Sequence, residues 1–278
     1  MRLQLITAGI MPDVPEGLPP PAVPPGVYDE GYYRTACGGF EAFEADGVDP
    51  LYPGMLAIAG LRPGEVVVDI GTGRGELLRV ALQRGAARAI GVEYSPDALE
   101  LARSSGGELL LADARAIPLD DGVADLVTLL DVAEHLAPAE LDRTLAEARR
   151  LLKPGGRLLV HTFPTRTFYE VTYRALRLGC RSWPRDPRNH WEHAMHVNEQ
   201  TLRGLRRALG AFDEVRVWPG PMTHLDVLPS PFARRLVAAG AKLPLIRRLC
   251  AADLFALARR GPGASDRGTP RGAAVRDG

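Results

Sequence analysis

Lysine is nearly missing from this chain: of its 34 basic residues only Lys153 and Lys242 are lysines. With 30 glycines and 24 prolines, the arginine bias reads as high-GC codon usage rather than a physical choice. Cysteine is scarce too. Cys37, Cys180 and Cys250 are odd in number, far apart and without a CxxC pair, which argues against a disulfide framework or a zinc cluster. Reduced thiols in the cytoplasm are the expectation. No apolar run reaches the roughly 18–20 residues of a membrane-spanning helix. The apolar stretch 3–11 is followed by Pro12, Asp13 and Pro15, the wrong flank for a secretory signal. Net charge is also lacking, since 34 basic residues face 34 acidic ones, and a general electrostatic nucleic-acid binder is thereby disfavoured. What is present, 278 residues with 46% hydrophobic and 24% charged, rules out wholesale disorder and suits a soluble globular enzyme.

Residues 1–26 carry seven prolines and read as an extended, polyproline-like arm. Residues 261–278, rich in Gly, Ser, Asp and Arg, read as a disordered tail. Between them strands and helices alternate. The run Val66-Val67-Val68-Asp69-Ile70 predicts a strand buried on both faces, followed by a helix over 76–84. Further strands are expected at 89–93, 109–112, 124–130 and 157–163, with helices starting at Pro96 (Ser95 as N-cap) and spanning about 138–152. This βαβα rhythm predicts a doubly wound, mostly parallel α/β sheet. After residue 164 the rhythm breaks into an insert (164–197), a helix near 199–210, a strand at 214–218, a second insert (221–250) and a last strand near 253–259.

The loop Gly71-Thr72-Gly73-Arg74-Gly75 follows the first strand at once, where glycines bring backbone N–H groups against a ligand. A nicotinamide dinucleotide site wants G-x-G-x-x-G; here the spacing is G-x-G-x-G, with Asp69 two residues before the first glycine. A carboxylate there repels a pyrophosphate and suits a ligand ending in an ammonium group. Glu93 ends the second strand some 20 residues on, the expected acceptor for ribose hydroxyls. Asp113 ends the third strand and Asp131 the fourth. Any one of these acids could simply cap the next helix, but four at successive strand tips converge on one crevice.

These residues carry a family resemblance. The run Val66 to Gly75 resembles the first motif of class I S-adenosylmethionine-dependent methyltransferases of the small-molecule type. Glu93, Asp113-Ala114, the run Asp131-Val132-Ala133-Glu134-His135-Leu136 and Leu152-Lys153-Pro154-Gly155-Gly156 look like its later motifs, in order. The likeness is strong over about 60–163, and weak through His196-Val197-Asn198-Glu199 and 252–260. It implies a seven-stranded Rossmann-like methyltransferase domain over 27–260 with helical inserts, and S-adenosyl-L-methionine as cofactor. By position, Asp69, Gly71, Thr72, Gly73 and Gly75 would serve its methionine end, joined by Asp131. Glu93 and Tyr94 would meet the ribose, and Asp113 and Ala114 the adenine. The lead-in Tyr28-Asp29-Glu30-Gly31-Tyr32-Tyr33 is expected to fold over the cofactor, with Tyr33 among its contacts.

For an acceptor that must lose a proton, histidine is the default base. His161 at the end of the fifth strand, His135 after the fourth and His190 are the candidates, each equally readable as a packing residue. His190, His193 and His196 are three apart, which raises a metal reading, but no carboxylate or cysteine completes a set and no metal is expected. The first insert, with Phe168, Tyr169, Tyr173, Trp183 and Trp191, reads equally as a lid or as its own small core. The second mixes apolar and basic residues and reads as a solvated helical cover rather than a membrane-surface helix. Methyl transfer to O or C of a small natural product or metabolite is the leading expectation. An RNA or protein acceptor, or a protein that uses the cofactor only structurally, is the alternative. The neutral total hides a bipolar chain: residues 1–163 hold 14 basic and 24 acidic groups, residues 164–278 hold 20 and 10. That asymmetry points to an anionic acceptor.

Overall fold

A computed structural model describes residues 17–220, 228–243 and 246–262. Residues 1–16 of the expected arm, 263–278 of the expected tail, and 221–227 and 244–245 of the second insert lie outside the described residues. Seven strands form one sheet: β1 (Val66–Ile70), β2 (Arg88–Glu93), β3 (Glu108–Leu111), β4 (Ala124–Leu130), β5 (Leu152–Thr162), β6 (Glu214–Pro219) and β7 (Leu254–Arg259), in the order β3-β2-β1-β4-β5-β7-β6. The first five run parallel, and β7 enters antiparallel between β5 and β6. The expected α/β, doubly wound, mostly parallel seven-stranded sheet is therefore present.

Strand alternation splits the core between the two faces. Val68, Ile70, Ile90, Val92, Val127, Leu129, Leu158 and Val160 pack with α6 (Pro138–Leu151) and α9 (Leu202–Ala208). Val67, Ala89, Leu126 and Leu159 face α3 (Leu51–Ala59) and α4 (Glu76–Gln83). Burying both faces is why these strands read as unbroken apolar runs. β5 begins earlier than expected, because Lys153-Pro154-Gly155-Gly156 forms a bulge, exposed at Pro154 and Gly155, between the Ala124–Leu152 and Leu126–Arg157 pairs.

Ahead of the sheet, α1 (Glu30–Thr35), capped by the Asp29 side chain, and α2 (Phe40–Asp46) lead into α3. Between β2 and β3, α5 (Pro96–Ala102) starts under its Ser95 cap, as expected. The first insert forms a π-turn (Phe168–Tyr173), α7 (Arg174–Gly179) and α8 (His190–Met195). Phe168, Tyr169 and Tyr173 are buried with Leu228, and with Val237 of α10 (Pro231–Ala241), so most of the insert's aromatics build a local core. Trp191 and Met195 turn instead toward Tyr28, Tyr32 and Tyr33. From α10 and its neighbour α11 (Arg247–Cys250), Val237 faces inward while Phe232 and Leu236 are exposed. No helix among the described residues is long and apolar enough to cross a membrane.

Candidate functional site

Parallel strands bring their carboxyl ends to one edge, and the tips of β1 to β4 line a single cavity there. Its floor is Gly71-Thr72-Gly73, with Glu93 and Tyr94 after β2, Asp113 and Ala114 after β3, and Asp131 after β4. Tyr28, Tyr32 and Tyr33 roof it. The lead-in is held down by hydrogen bonds from Tyr94 Oη to Val23 O (2.8 Å) and from Ser95 Oγ to Tyr28 O (2.8 Å). Gly71 and Gly73 have φ of 75° and 52°, and a side chain at 71 would collide with Val132.

Glu93 is buried at the base of the cavity. Its carboxylate accepts from Gly73 N (3.1 Å), Tyr94 N (2.8 Å) and Ser95 N (3.0 Å), which ties the glycine loop to the end of β2. Burial pushes its pKa up, and these three N–H groups pull it back. Asp69 stands one layer behind: it accepts from Thr128 Oγ1 at 2.6 Å, and burial raises it to about 6. It does not line the cavity, and neither does Gly75, the left-handed N-cap of α4 packed against Ser105 and Ala102. Asp113 does line it, but its carboxylate takes Arg115 Nη2 at 2.6 Å and Nε at 2.9 Å. Arg115 in turn reaches Glu140 (3.0 Å) and Pro19 O (2.9 Å). That buried arginine, which fastens residues 19–22 over the rim of the cavity, has no signature in the sequence.

A second cavity of about 490 Å³ shares Tyr32, Cys37, Asp131 and His135 with the first and adds Glu134, Phe163, Trp191, Met195 and His196. His135 lies in both walls. Burial holds His135 down at about 3 and His196 at about 4, so both imidazoles are neutral near pH 7. His135 is therefore a weak proton acceptor, though well placed to orient a donor. Glu134 is buried, accepts from Thr162 Oγ1 at 2.8 Å, and is held well above the usual carboxylate range by burial and by Asp131.

The other two histidine candidates stand elsewhere. His161 is fully buried and lines neither cavity. Burial opposes its charge, but Asp131 and Asp253 outweigh that and hold it up at about 10. Buried behind Asp131 and lining neither cavity, His161 has no path to an acceptor as a base, and a raised pKa works against that role as well. His190 is exposed at the first position of α8 and lines neither cavity, because Trp191 and Met195 take the inward face of that short helix. Tyr32, from the lead-in expected to fold over the cofactor, lines the second cavity. So do Glu134 and His196, to which the sequence assigns no site role beyond the run Asp131 to Leu136 and the spacing of three among the histidines.

A methyltransferase-domain family profile matches residues 68–160, the stretch from β1 to β5. The chain is 33% identical over 206 residues to malonyl-(acyl-carrier protein) O-methyltransferase of Geobacter sulfurreducens, covering 70% of this chain and 73% of that one. It is 32% identical over 103 residues (37% of this chain) to probable tRNA methyltransferase 9B of Mus musculus, but spans only 22% of that protein's length. The fold matches the crystal structure of a SAM-dependent methyltransferase from Archaeoglobus fulgidus at TM-score 0.53 and 20% identity, over 76% of this chain and 93% of that one.

Proposed function

Because the chain belongs to the class I S-adenosylmethionine-dependent methyltransferases, we propose that it methylates O or C of a small, anionic acceptor seated in the second cavity. One observation carries this reading: the second cavity shares Tyr32, Cys37, Asp131 and His135 with the strand-tip cavity, and its volume of about 490 Å³ falls within the range of small-molecule sites.

The residues present suit the cofactor. Bare backbone at Gly73 leaves room under Tyr33 that a side chain would fill. Glu93 is a desolvated carboxylate whose hydrogen-bond partners among the described residues are backbone N–H groups, so ribose hydroxyls can complete its shell. S-Adenosyl-L-methionine, when bound, supplies the electrophilic methyl group on its sulfonium. Around it, Tyr28, Tyr32 and Tyr33 exclude water and offer aromatic faces to a cation. Asp131 lines both cavities, where a carboxylate favours the positive methionine end. His135, neutral and facing both, would accept a hydrogen bond from an acceptor hydroxyl and orient it for in-line transfer. Asp113 would contribute to the adenine end together with Arg115, rather than as a free acceptor.

The Geobacter relative is by name an O-methyltransferase of an acyl-carrier-bound acid, in keeping with an anionic acceptor here. Three free cysteines are in keeping with a cytoplasmic setting. An RNA acceptor is the second reading, favoured by the surplus of basic groups after residue 163. The deciding experiment is transfer of labelled methyl from S-adenosylmethionine to a panel of small carboxylated and hydroxylated acceptors, with bulk tRNA alongside. Label entering small acceptors supports the proposal, and label entering only tRNA overturns it.

A further inference from the structure

Glu134, His135 and His196 each offer one ligand atom, and these atoms all lie within 4.8 Å of one another. Two separate segments meet to make this set. Glu134 and His135 close the short turn after β4, His196 caps the end of α8, and Asn198 N donates to Glu134 O at 3.0 Å to join them. The two imidazole rings stand 5.0 Å apart at 76°. Nδ1 of each is buried and has no hydrogen-bond partner among the described residues. A buried polar atom left unpaired costs on the order of 1–3 kcal/mol, so such a pair asks for a ligand.

Two imidazoles and one carboxylate are the donor types of borderline divalent ions such as zinc, manganese, iron or cobalt. Around one ion with metal–ligand bonds of about 2.0–2.2 Å, tetrahedrally placed ligand atoms stand about 3.4 Å apart, so the three atoms, all within 4.8 Å of one another, close by at most about 1.4 Å to hold it. We propose that Glu134, His135 and His196 bind one divalent transition-metal ion in the wall of the second cavity. Three protein ligands leave coordination positions open to that cavity, where an acceptor hydroxyl, enol or carboxylate oxygen can enter. The ion would fix that oxygen and favour its deprotonated form, taking the place of the hydrogen bond that His135 would otherwise accept from an acceptor hydroxyl. Its use in transfer rests on the methyltransferase reading; its existence does not.

The test uses the full chain, stripped with a chelator and titrated with cobalt(II), read by its visible absorption and by calorimetry. S-Adenosylhomocysteine binding is measured on the same samples. Wild type should take up one equivalent of cobalt. His196→Ala and His135→Gln should each bind it about tenfold or more weakly, while His196→Ala, which lies outside the strand-tip cavity, keeps wild-type affinity for S-adenosylhomocysteine. No saturable cobalt uptake by wild type, or unchanged affinity in both variants, overturns the site. Failure to bind S-adenosylhomocysteine would count against the methyltransferase reading and not against the metal.

Discussion

His161 Nδ1 lies 2.7 Å from Asp131 Oδ1, and on its other side Nε2 lies 3.4 Å from Asp253 Oδ2. The histidine is fully buried between the two acids, on β5 beside the antiparallel β7. Asp131 itself holds a left-handed backbone with φ of 53°, rare for a residue other than glycine. The imidazole thus helps to hold Asp131, on its left-handed backbone, at the junction of the two cavities.

A pKa near 10 in the folded state, against about 6.5 in the unfolded chain, sets the sign of the pH dependence. A raised pKa contributes stability that is complete below about 6.5 and is lost as pH climbs through 10. The urea midpoint should therefore fall between pH 7 and pH 10, by an amount corresponding to a few kcal/mol. His161→Gln should be less stable at pH 7 and show a flatter profile. Equal pH profiles for the two proteins would refute a charged His161.

Glu93 should govern cofactor affinity rather than folding. Glu93→Gln keeps the shape but gives up the charge that Gly73 N, Tyr94 N and Ser95 N all address. A hydrogen bond to a charged group contributes about 1.5–3 kcal/mol, so S-adenosylhomocysteine should bind roughly 10- to 100-fold more weakly. Calorimetry measures this, with the ligand-free melting temperature as the check on folding. An unchanged dissociation constant would remove Glu93 from the site.

Arg115 should matter both for stability and for closure of the rim. It is buried, neutralises Asp113 and Glu140, and donates to Pro19 O, while Ala22 N donates to the same Glu140. Arg115→Ala strands two buried carboxylates, a loss of about 3–5 kcal/mol. Residues 17–25 should then be cut faster by a non-specific protease at temperatures where the sheet stays folded. Unchanged cleavage would mean that the arm is held by Tyr94 and the tyrosine contacts alone.

The strand tips were readable because their spacing follows from the sheet itself. β1 at 66–70 and β4 at 124–130 stand where the apolar runs predict them, with the expected Asp69 inside the end of β1 and Asp131 directly after β4. Pairings between distant side chains carry no such period. Asp253 reaches His161 across 92 residues only because β7 runs antiparallel beside β5. Nothing local in either segment announces the contact. His196 meets His135 through a loop packed on a turn, and the spacing of three among His190, His193 and His196 pointed to a shared helix face. α8 ends at Met195, so His196 leaves the helix and joins Glu134 and His135 instead.

Gly71 offers a test of how tightly the glycine loop is set against the tip of β4. Its φ of 75° strains any other L-residue, and an added Cβ would collide with Val132, the residue after Asp131. Gly71→Ala should therefore cost about 1 kcal/mol for the backbone, plus a steric cost of about 1–3 kcal/mol. Val132→Ala in the same chain relieves only the second part. A double-mutant cycle read by urea unfolding should give a favourable coupling of about 1 kcal/mol or more, with affinity for S-adenosylhomocysteine recovering in step. Additive effects would mean that the loop and the β4 tip relax independently, and the shared wall of the two cavities would then be soft rather than pre-formed. Coupling without recovery of affinity would mean that the added Cβ or altered backbone at 71 disturbs the ligand directly, whereas affinity unchanged in every variant would assign Gly71 to packing alone.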